Sequence, residues 1–185
     1  MTTPRPQDKS DLFRLLKSQA FSKGKFILSS GKTSDYYLDA RIVTLSAAGA
    51  YLTARIMLDM IKDDQPDAIG GPTLGADPMV GAIASLSHQA GRPINTFIIR
   101  KTPKAHGKQQ QVEGPLIKEG GHVVLIDDVA TTGKAFVESI EVLHQVNINI
   151  KKAICVIDRG EGAAEALAKY KVPLMSIFTI AEFLK

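Results

Sequence analysis

The chain has 185 residues, of which 44% are hydrophobic and 23% are charged. This balance is that of an ordinary folded protein, and it excludes disordered, collagen-like and disulfide-rich miniature classes. Its 23 basic and 19 acidic residues leave a net charge of +4, which suits an anionic small ligand as well as a nucleic acid. Because the length is close to that of one ordinary domain, we expect a single domain over residues 1–185.

Nothing in the sequence indicates a membrane protein. An uncharged stretch such as Ile42–Ala54 is interrupted by Thr and Ser and falls short of the ~20 apolar residues that a span needs. The N-terminal residues have no apolar run behind their positive charge, so we expect neither a signal peptide nor an anchor. The single cysteine, Cys155, cannot form an internal disulfide, which favours a cytoplasmic location.

The first forty residues predict a helix around Leu12–Ala20 and then two strands, around Phe26–Leu28 and Tyr36–Leu38. Such a segment can cover one end of a sheet, with its tyrosines above a pocket. We therefore expect a small N-terminal hood, built mainly from residues 1–45, over a core of residues 46–185.

Beyond the hood, apolar runs alternate with amphipathic stretches, which predicts an α/β protein with a mainly parallel central sheet flanked by helices. The predicted helices are Ala47–Ile61 after a Ser46 cap, one opened by Asp77 as cap with Pro78 at the first helical position, Lys134–Val146 and Gly162–Tyr170. The predicted strands lie around Ile69 and in Ile94–Ile99, Val123–Ile126, Ile150–Ile157 and Leu174–Phe178.

The strongest motif is Val123–Lys134, in which a buried strand ends in Asp127 and Asp128 and a loop of small and hydroxyl residues then enters a helix. Backbone N–H groups at the helix start, with the hydroxyls of Thr131 and Thr132, can bind a phosphate. The two carboxylates can accept hydrogen bonds from adjacent ribose hydroxyls, or they can position Mg²⁺ through water.

This motif resembles the phosphoribosyl pyrophosphate (PRPP) motif of the type I phosphoribosyltransferases. The resemblance implies the fold of that family and Mg²⁺ as cofactor, held by PRPP and water near the acidic pair rather than by side-chain ligands. It also implies that the acidic pair binds the ribose and that the loop binds the 5′-phosphate. The PRPP-binding residues that it assigns here are Asp127, Asp128, Val129, Ala130, Thr131, Thr132, Gly133, Lys134 and Ala135.

A long polar connector over Lys101–Gly114 predicts a functional lid or a disordered segment. With Arg100 before it, the segment reads Arg-Lys-Thr-Pro-Lys-Ala-His-Gly and resembles the mobile catalytic loop of the orotate phosphoribosyltransferases. Cations suit this position because negative charge builds on a departing pyrophosphate. The resemblance implies that Arg100, Lys101, Lys104 and His106 bind PRPP, and that Lys104, His106, Asp127 and Asp128 are catalytic.

Three further segments resemble that family. Phe26–Asp39 is similar to the segment that roofs the pyrimidine, and Asp158–Gly162 is similar to the orotate-side segment. A guanidinium pairs bidentately with a carboxylate, so Arg159 is the expected base contact. The orotate-binding residues implied are Thr131, Arg159, Tyr36 and Tyr37.

The third segment, Gly70–Pro78, resembles the pyrophosphate loop, with Thr73, Leu74 and Gly75 at its centre and a cis peptide expected between Thr73 and Leu74. The sequence departs from the family at two positions. Ser29 and Gly75 stand where many members carry a lysine, and the sequence leaves open what supplies that charge.

The resemblance implies Mg²⁺-dependent transfer of the phosphoribosyl group from PRPP to orotate, giving orotidine 5′-monophosphate and pyrophosphate in pyrimidine nucleotide synthesis. It also implies a homodimer whose loop reaches the neighbouring active site. Two alternatives stay open: transfer to another base, such as a purine, and a nucleotide-sensing regulator that binds RNA. Because the loop accounts for the basic cluster, we expect no nucleic-acid partner, and the length leaves no room for a decarboxylase barrel.

Overall fold

The computed structural model describes residues 5–27, 31, 33–102 and 111–185. The N-terminal part begins with helix α1 (Asp8–Leu15), which continues into a π-helical segment, Leu16–Ala20. Strands β1 (Phe21–Ile27) and β2 (Thr33–Leu38) follow as an antiparallel pair in which Phe21 is opposite Leu38. The predicted helix and strand pair are therefore present, although β1 begins at Phe21 rather than at Phe26.

A six-stranded sheet in the order β5-β4-β3-β6-β7-β8 forms the centre of the molecule. All neighbouring strands are parallel except β5, which runs antiparallel to β4. The mainly parallel sheet that the sequence predicts is confirmed. Its strands are β3 (Ala68–Pro72), β4 (Asn95–Ile99), β5 (Val112–Glu113), β6 (His122–Ala130), β7 (Asn149–Asp158) and β8 (Leu174–Thr179).

Helices cover both faces of this sheet. They are α2 (Arg41–Thr44), α3 (Ala47–Met60), α4 (Asp77–Gln89), α5 (Lys134–Gln145), α6 (Ala163–Ala168) and α7 (Ile180–Leu184). The predicted Ser46 cap of α3 is confirmed, because its hydroxyl accepts a hydrogen bond from the Gly49 N–H at 3.1 Å.

Alternation along β6 divides the core into two layers. Val124 and Ile126 belong to one buried cluster, with α1, α3 and α4, whereas Val123 and Leu125 belong to the other, with α5 and α6. Side chains of successive strand residues point to opposite faces, so a strand covered on both faces must be apolar at every position. Among the described residues, no helix combines the length and the apolar character needed to cross a bilayer.

The structure corrects two local predictions. Ala76, not Asp77, is the N-cap of α4; Asp77 lies inside the first turn, and no side-chain cap bond is formed. Strand β6 does not end at Ile126 but runs on to Ala130, because β7 pairs with it along that length, Ala130 being opposite Asp158. The acidic pair therefore belongs to the strand itself, where the backbone ladder holds it rigidly.

Candidate active site

A cleft opens at the carboxyl ends of the parallel strands, where ligands of open α/β sheets bind. It consists of a cavity of about 670 Å³ and an adjoining one of about 550 Å³, which share the lining residues Lys101, Asp127 and Thr131. The end of β2, the loop after β3, the end of β4, Arg159 and residues of α5 between Glu138 and Gln145 contribute further walls of the larger cavity.

The acidic pair lies at the centre of this cleft. Asp127 is only 7% exposed, and its Oδ1 accepts a hydrogen bond from the Asp128 N–H at 2.9 Å. Oδ1 of Asp128 in turn accepts one from the Val129 N–H at 2.8 Å. Burial and the charge of Asp128 raise the pKa of Asp127 well above the usual carboxyl range, and burial also raises the pKa of Asp128. The pair is thus a strong acceptor for hydroxyl groups or hydrated cations.

The loop after β3 passes directly beneath these carboxylates. It contains the expected cis peptide between Thr73 and Leu74, and the Thr73 N–H donates to the Ile99 carbonyl at 3.0 Å. A β-carbon at Gly75 would lie 1.9 Å from Oδ1 of Asp127, which is far shorter than a van der Waals contact. Glycine at position 75 is therefore required by the present position of the acidic pair.

The turn between β6 and α5 is built to accept an anion. Gly133 has φ 80°, and a β-carbon there would lie 3.0 Å from Cα of Ala163, so both backbone and space require glycine. No side chain caps α5, and its first turn has no acidic residue. The first N–H groups of α5, at Lys134 and Ala135, are consequently available to a phosphate at the helix N-terminus.

Arg159 is fixed at the end of β7. Its N–H donates to the Ala130 carbonyl at 2.9 Å, and its Nε lies 3.1 Å from the Tyr36 hydroxyl and 2.9 Å from Oε1 of Glu161. Its guanidinium also lies over the Tyr36 ring, 5.0 Å from the centroid. Because Nε makes these contacts, the terminal nitrogens are left to bind a carboxylate.

The two predicted tyrosines have different surroundings. Tyr36 stacks on Phe21 with centroids 5.8 Å apart and so connects β2 to Arg159. Tyr37 lies on the other side of β2, 44% exposed and 5.6 Å from the Phe26 ring, and neither tyrosine lines the larger cavity.

The predicted catalytic loop begins and ends at the cleft. Arg100 and Lys101 line the larger cavity. The Arg100 N–H donates to the Gln111 carbonyl at 2.9 Å, and Nε2 of Gln111 donates back to the Arg100 carbonyl at 3.1 Å, which joins the two ends of the loop. Lys104 and His106, like Ser29, lie outside the described residues.

The sequence reasoning missed one pair of cleft residues, Asp39 and Arg41, which line the larger cavity just beyond β2. The available signal was an acid and a base two residues apart directly after a predicted strand. The short β5 was also missed. The interpretation of Cys155 as a structural residue agrees with its surroundings. The side chain is buried and forms no disulfide, and burial raises the pKa of its thiol.

Comparisons with known proteins agree with this geometry. A phosphoribosyl transferase domain model matches residues 43–183. The orotate phosphoribosyltransferase of Aquifex aeolicus is 38% identical over 180 residues, covering 96% of this chain and 98% of the relative. The chain belongs to the orotate phosphoribosyltransferase family.

Solved structures give the same result. A crystal structure of the orotate phosphoribosyltransferase of Mycobacterium tuberculosis superimposes with a TM-score of 0.84 at 35% identity, covering 95% of this chain and 98% of that one. Another structure of the enzyme from that organism, in complex with PRPP, gives a TM-score of 0.80 at 30% identity, with coverages of 96% and 99%. The predicted type I phosphoribosyltransferase fold is thereby confirmed.

Proposed function

We propose that this chain transfers the phosphoribosyl group of PRPP to orotate, giving orotidine 5′-monophosphate and pyrophosphate. The observation that carries the proposal is the single cleft in which an anion-binding helix start, a buried acidic pair and a fixed arginine follow one another along the strand ends. These are the groups that a phosphate, a ribose and a carboxylated base require.

In this proposal each chemical group of PRPP and orotate has its own binding residues. The N-terminus of α5 with Thr131, Thr132 and Gly133 binds the 5′-phosphate, and the acidic pair accepts hydrogen bonds from the two ribose hydroxyls. Arg159 binds the orotate carboxylate. The pyrophosphate-binding residues are Thr73, Leu74, Gly75, Arg100 and Lys101 among those described, with Lys104 and His106 on the loop.

Catalysis then depends on positioning and charge. As the bond from ribose C1 to pyrophosphate breaks, C1 gains positive charge and the leaving group gains negative charge, while orotate N1 approaches C1. The two carboxylates, Asp127 and Asp128, stabilise the cationic ribose from below, and the loop cations stabilise the pyrophosphate. This chain forms no covalent bond to the substrate in that scheme.

The acidic pair also fits a hydrated Mg²⁺ ion. Both carboxylates are ionisable oxygen ligands, and both line the larger cavity. In the described ranges no three His, Cys, Asp or Glu side chains gather around one point as a complete metal site, so PRPP and water would have to supply the other ligands. When bound, Mg²⁺ would neutralise part of the pyrophosphate charge.

Mixing the purified protein with PRPP, Mg²⁺ and one base at a time tests the activity. We expect orotate to lose its near-ultraviolet absorbance, and adenine, hypoxanthine and uracil to remain unchanged. Turnover of adenine or hypoxanthine would instead support the purine alternative. If no base reacts in a protein that binds PRPP, and RNA binds with a steep salt dependence, the regulator alternative is correct.

The contacts of Arg159 allow a test of the base site. We expect Arg159→Ala to raise the KM for orotate by about tenfold or more, because a charge-assisted bidentate contact is lost. Tyr36→Phe keeps the ring over the guanidinium but removes the hydroxyl 3.1 Å from Nε. It should therefore raise the KM for orotate less than Arg159→Ala does. The KM for PRPP is the internal control: if it rises as much as that for orotate, Arg159 does not define the base site.

We further propose that the protein works in the cytoplasm as a homodimer, with the catalytic loop shared between subunits. Exposed apolar side chains on α2, on α3 and between them support an interface, with Leu45 70%, Ile42 51% and Tyr51 40% exposed. Neither nucleic acid nor membrane is a partner in this proposal.

A further inference from the structure

An ion pair at the edge of the cleft holds one arginine in a fixed position. Nε of Arg41 lies 2.9 Å from Oδ1 of Asp39, and Nη2 lies 3.0 Å from Oδ2, so the two side chains meet fork to fork. The Arg41 N–H also donates to Oδ1 of Asp39 at 3.1 Å. Within the described part of the chain, Nη1 of Arg41 has no hydrogen-bond partner, and it remains available to a ligand.

This arginine shares the larger cavity with the loop after β3 and with the acidic pair. Its charge acts on that pair: it lowers the pKa of Asp128, opposing the effect of burial, and Asp128 in turn raises the pKa of Arg41. The side chain of Arg41 is 46% exposed, so water and ligands can reach it. Arg41 is therefore close to the acidic pair without neutralising it through a direct contact.

The cleft needs a cation at this point. A pyrophosphate group bound over the loop after β3 would lie beside the two carboxylates of the acidic pair, which repel it when they are ionised. Position 75 supplies no cation: it is glycine, and with the acidic pair in its present position a β-carbon there would lie 1.9 Å from Oδ1 of Asp127 and 2.6 Å from Oδ1 of Asp128. Arg159 does not supply this cation either, because Tyr36 and Glu161 hold its Nε and its terminal nitrogens are assigned to the orotate carboxylate.

We propose that Arg41, held in place by Asp39, binds the pyrophosphate group of PRPP and supplies the positive charge that position 75 cannot. The inference rests on the proposed PRPP site. A planar guanidinium can place Nη1 on a phosphate oxygen while its other edge stays on Asp39.

Binding of three ligands without any base tests this inference. Dissociation constants are measured by calorimetry, with Mg²⁺, for PRPP, pyrophosphate and ribose 5-phosphate. We expect Arg41→Ala to raise the dissociation constants of PRPP and pyrophosphate by about tenfold or more. The dissociation constant of ribose 5-phosphate should stay within about twofold of the wild-type value. Arg41→Lys should retain part of the affinity, since it keeps the charge but not the fork.

The matched control is Arg14→Ala, which also removes an arginine paired with an aspartate, Asp11, but on the exposed face of α1. It should change none of the three affinities. Asp39→Asn should show a weaker form of the Arg41→Ala pattern, because it loosens the guanidinium without removing it.

Two results would overturn the inference: unchanged PRPP affinity in Arg41→Ala, or an equal loss of affinity for ribose 5-phosphate. Equal melting temperatures of variant and wild type would show that a loss is not unfolding. Failure of the wild type to consume orotate would overturn the proposed function alone, because these measurements contain no base. A wild type that binds neither PRPP nor pyrophosphate would overturn both.

Discussion

Replacement of Asp127 by asparagine is expected to lower orotate turnover by on the order of a hundredfold to a thousandfold, while the ligand-free protein becomes more stable. Both effects have one cause, the buried charge. Burial and the neighbouring Asp128 raise the pKa of Asp127, which means that ionised Asp127 destabilises the fold. Asparagine removes the charge, and its amide oxygen can still accept the hydrogen bond that the Asp128 N–H donates to Asp127 at 2.9 Å in the wild type.

The gain in stability should depend on pH in one direction. In the unfolded chain the carboxyl titrates near pH 3.9, whereas in the folded protein its pKa is raised. Below about pH 4 the Asp127 carboxyl is protonated in both the folded and the unfolded protein, so Asp127→Asn and wild type should differ little in stability. The advantage of the variant grows as the pH rises towards the raised pKa and is constant above it. Melting curves across this range measure it, since about 1 kcal/mol shifts Tm by roughly 2–4 °C in a chain of this size.

Two further variants sharpen this prediction. Asp128→Asn should also lose activity but gain less stability, because burial raises the pKa of Asp128 less far than that of Asp127 and the charge of Arg41 opposes the increase. Asp59→Asn is the control, since Asp59 makes an exposed ion pair with Lys62 at 3.3 Å and is remote from the cleft residues in the sequence. A lower Tm for Asp127→Asn at neutral pH would show that the carboxylate stabilises the free protein, and undiminished turnover would remove its catalytic role.

The parts of the fold that were predictable are those fixed by local chemistry. The Ser46 hydroxyl can cap only the helix that follows it, and the continuous apolar run Val123–Ile126 can belong only to a strand covered on both faces. The cis bond at Thr73 was expected from the family resemblance alone.

The errors arose where a distant partner decides the outcome. Strand β6 passes through its two acids because β7 provides hydrogen-bond partners as far as Asp158, which no local pattern reveals. Asp77 has the composition of a cap, yet Ala76 takes that position and the acid lies in the first turn, where it also raises the pKa of Asp127. The pairing of Arg41 with Asp39 is local, but its place in the cleft depends on how β2 lies over the sheet.

Lys104→Ala is expected to lower kcat by on the order of a hundredfold to a thousandfold and to weaken PRPP binding far less. The reason is that, in the proposed site, the loop cation meets charge that forms only as pyrophosphate departs, whereas the described cleft residues would bind PRPP before the reaction begins. Kinetics with varied PRPP, together with a direct binding measurement, separate the two effects. Lys118→Ala is the matched control, because Lys118 is an exposed lysine in the next connection, between β5 and β6. Equal losses in kcat and affinity would contradict a transition-state role.

Mixed dimers test whether that loop acts on the partner's site. A dimer of one Lys104→Ala chain and one Asp128→Asn chain has, if the loop is shared, one site that receives an intact loop and keeps an intact acidic pair. The other site then carries both defects. We expect such heterodimers, purified through two different tags, to recover activity that neither variant shows alone. If the loop closes over its own subunit, every site carries one defect, so purified heterodimers without recovered activity would limit catalysis to a single chain.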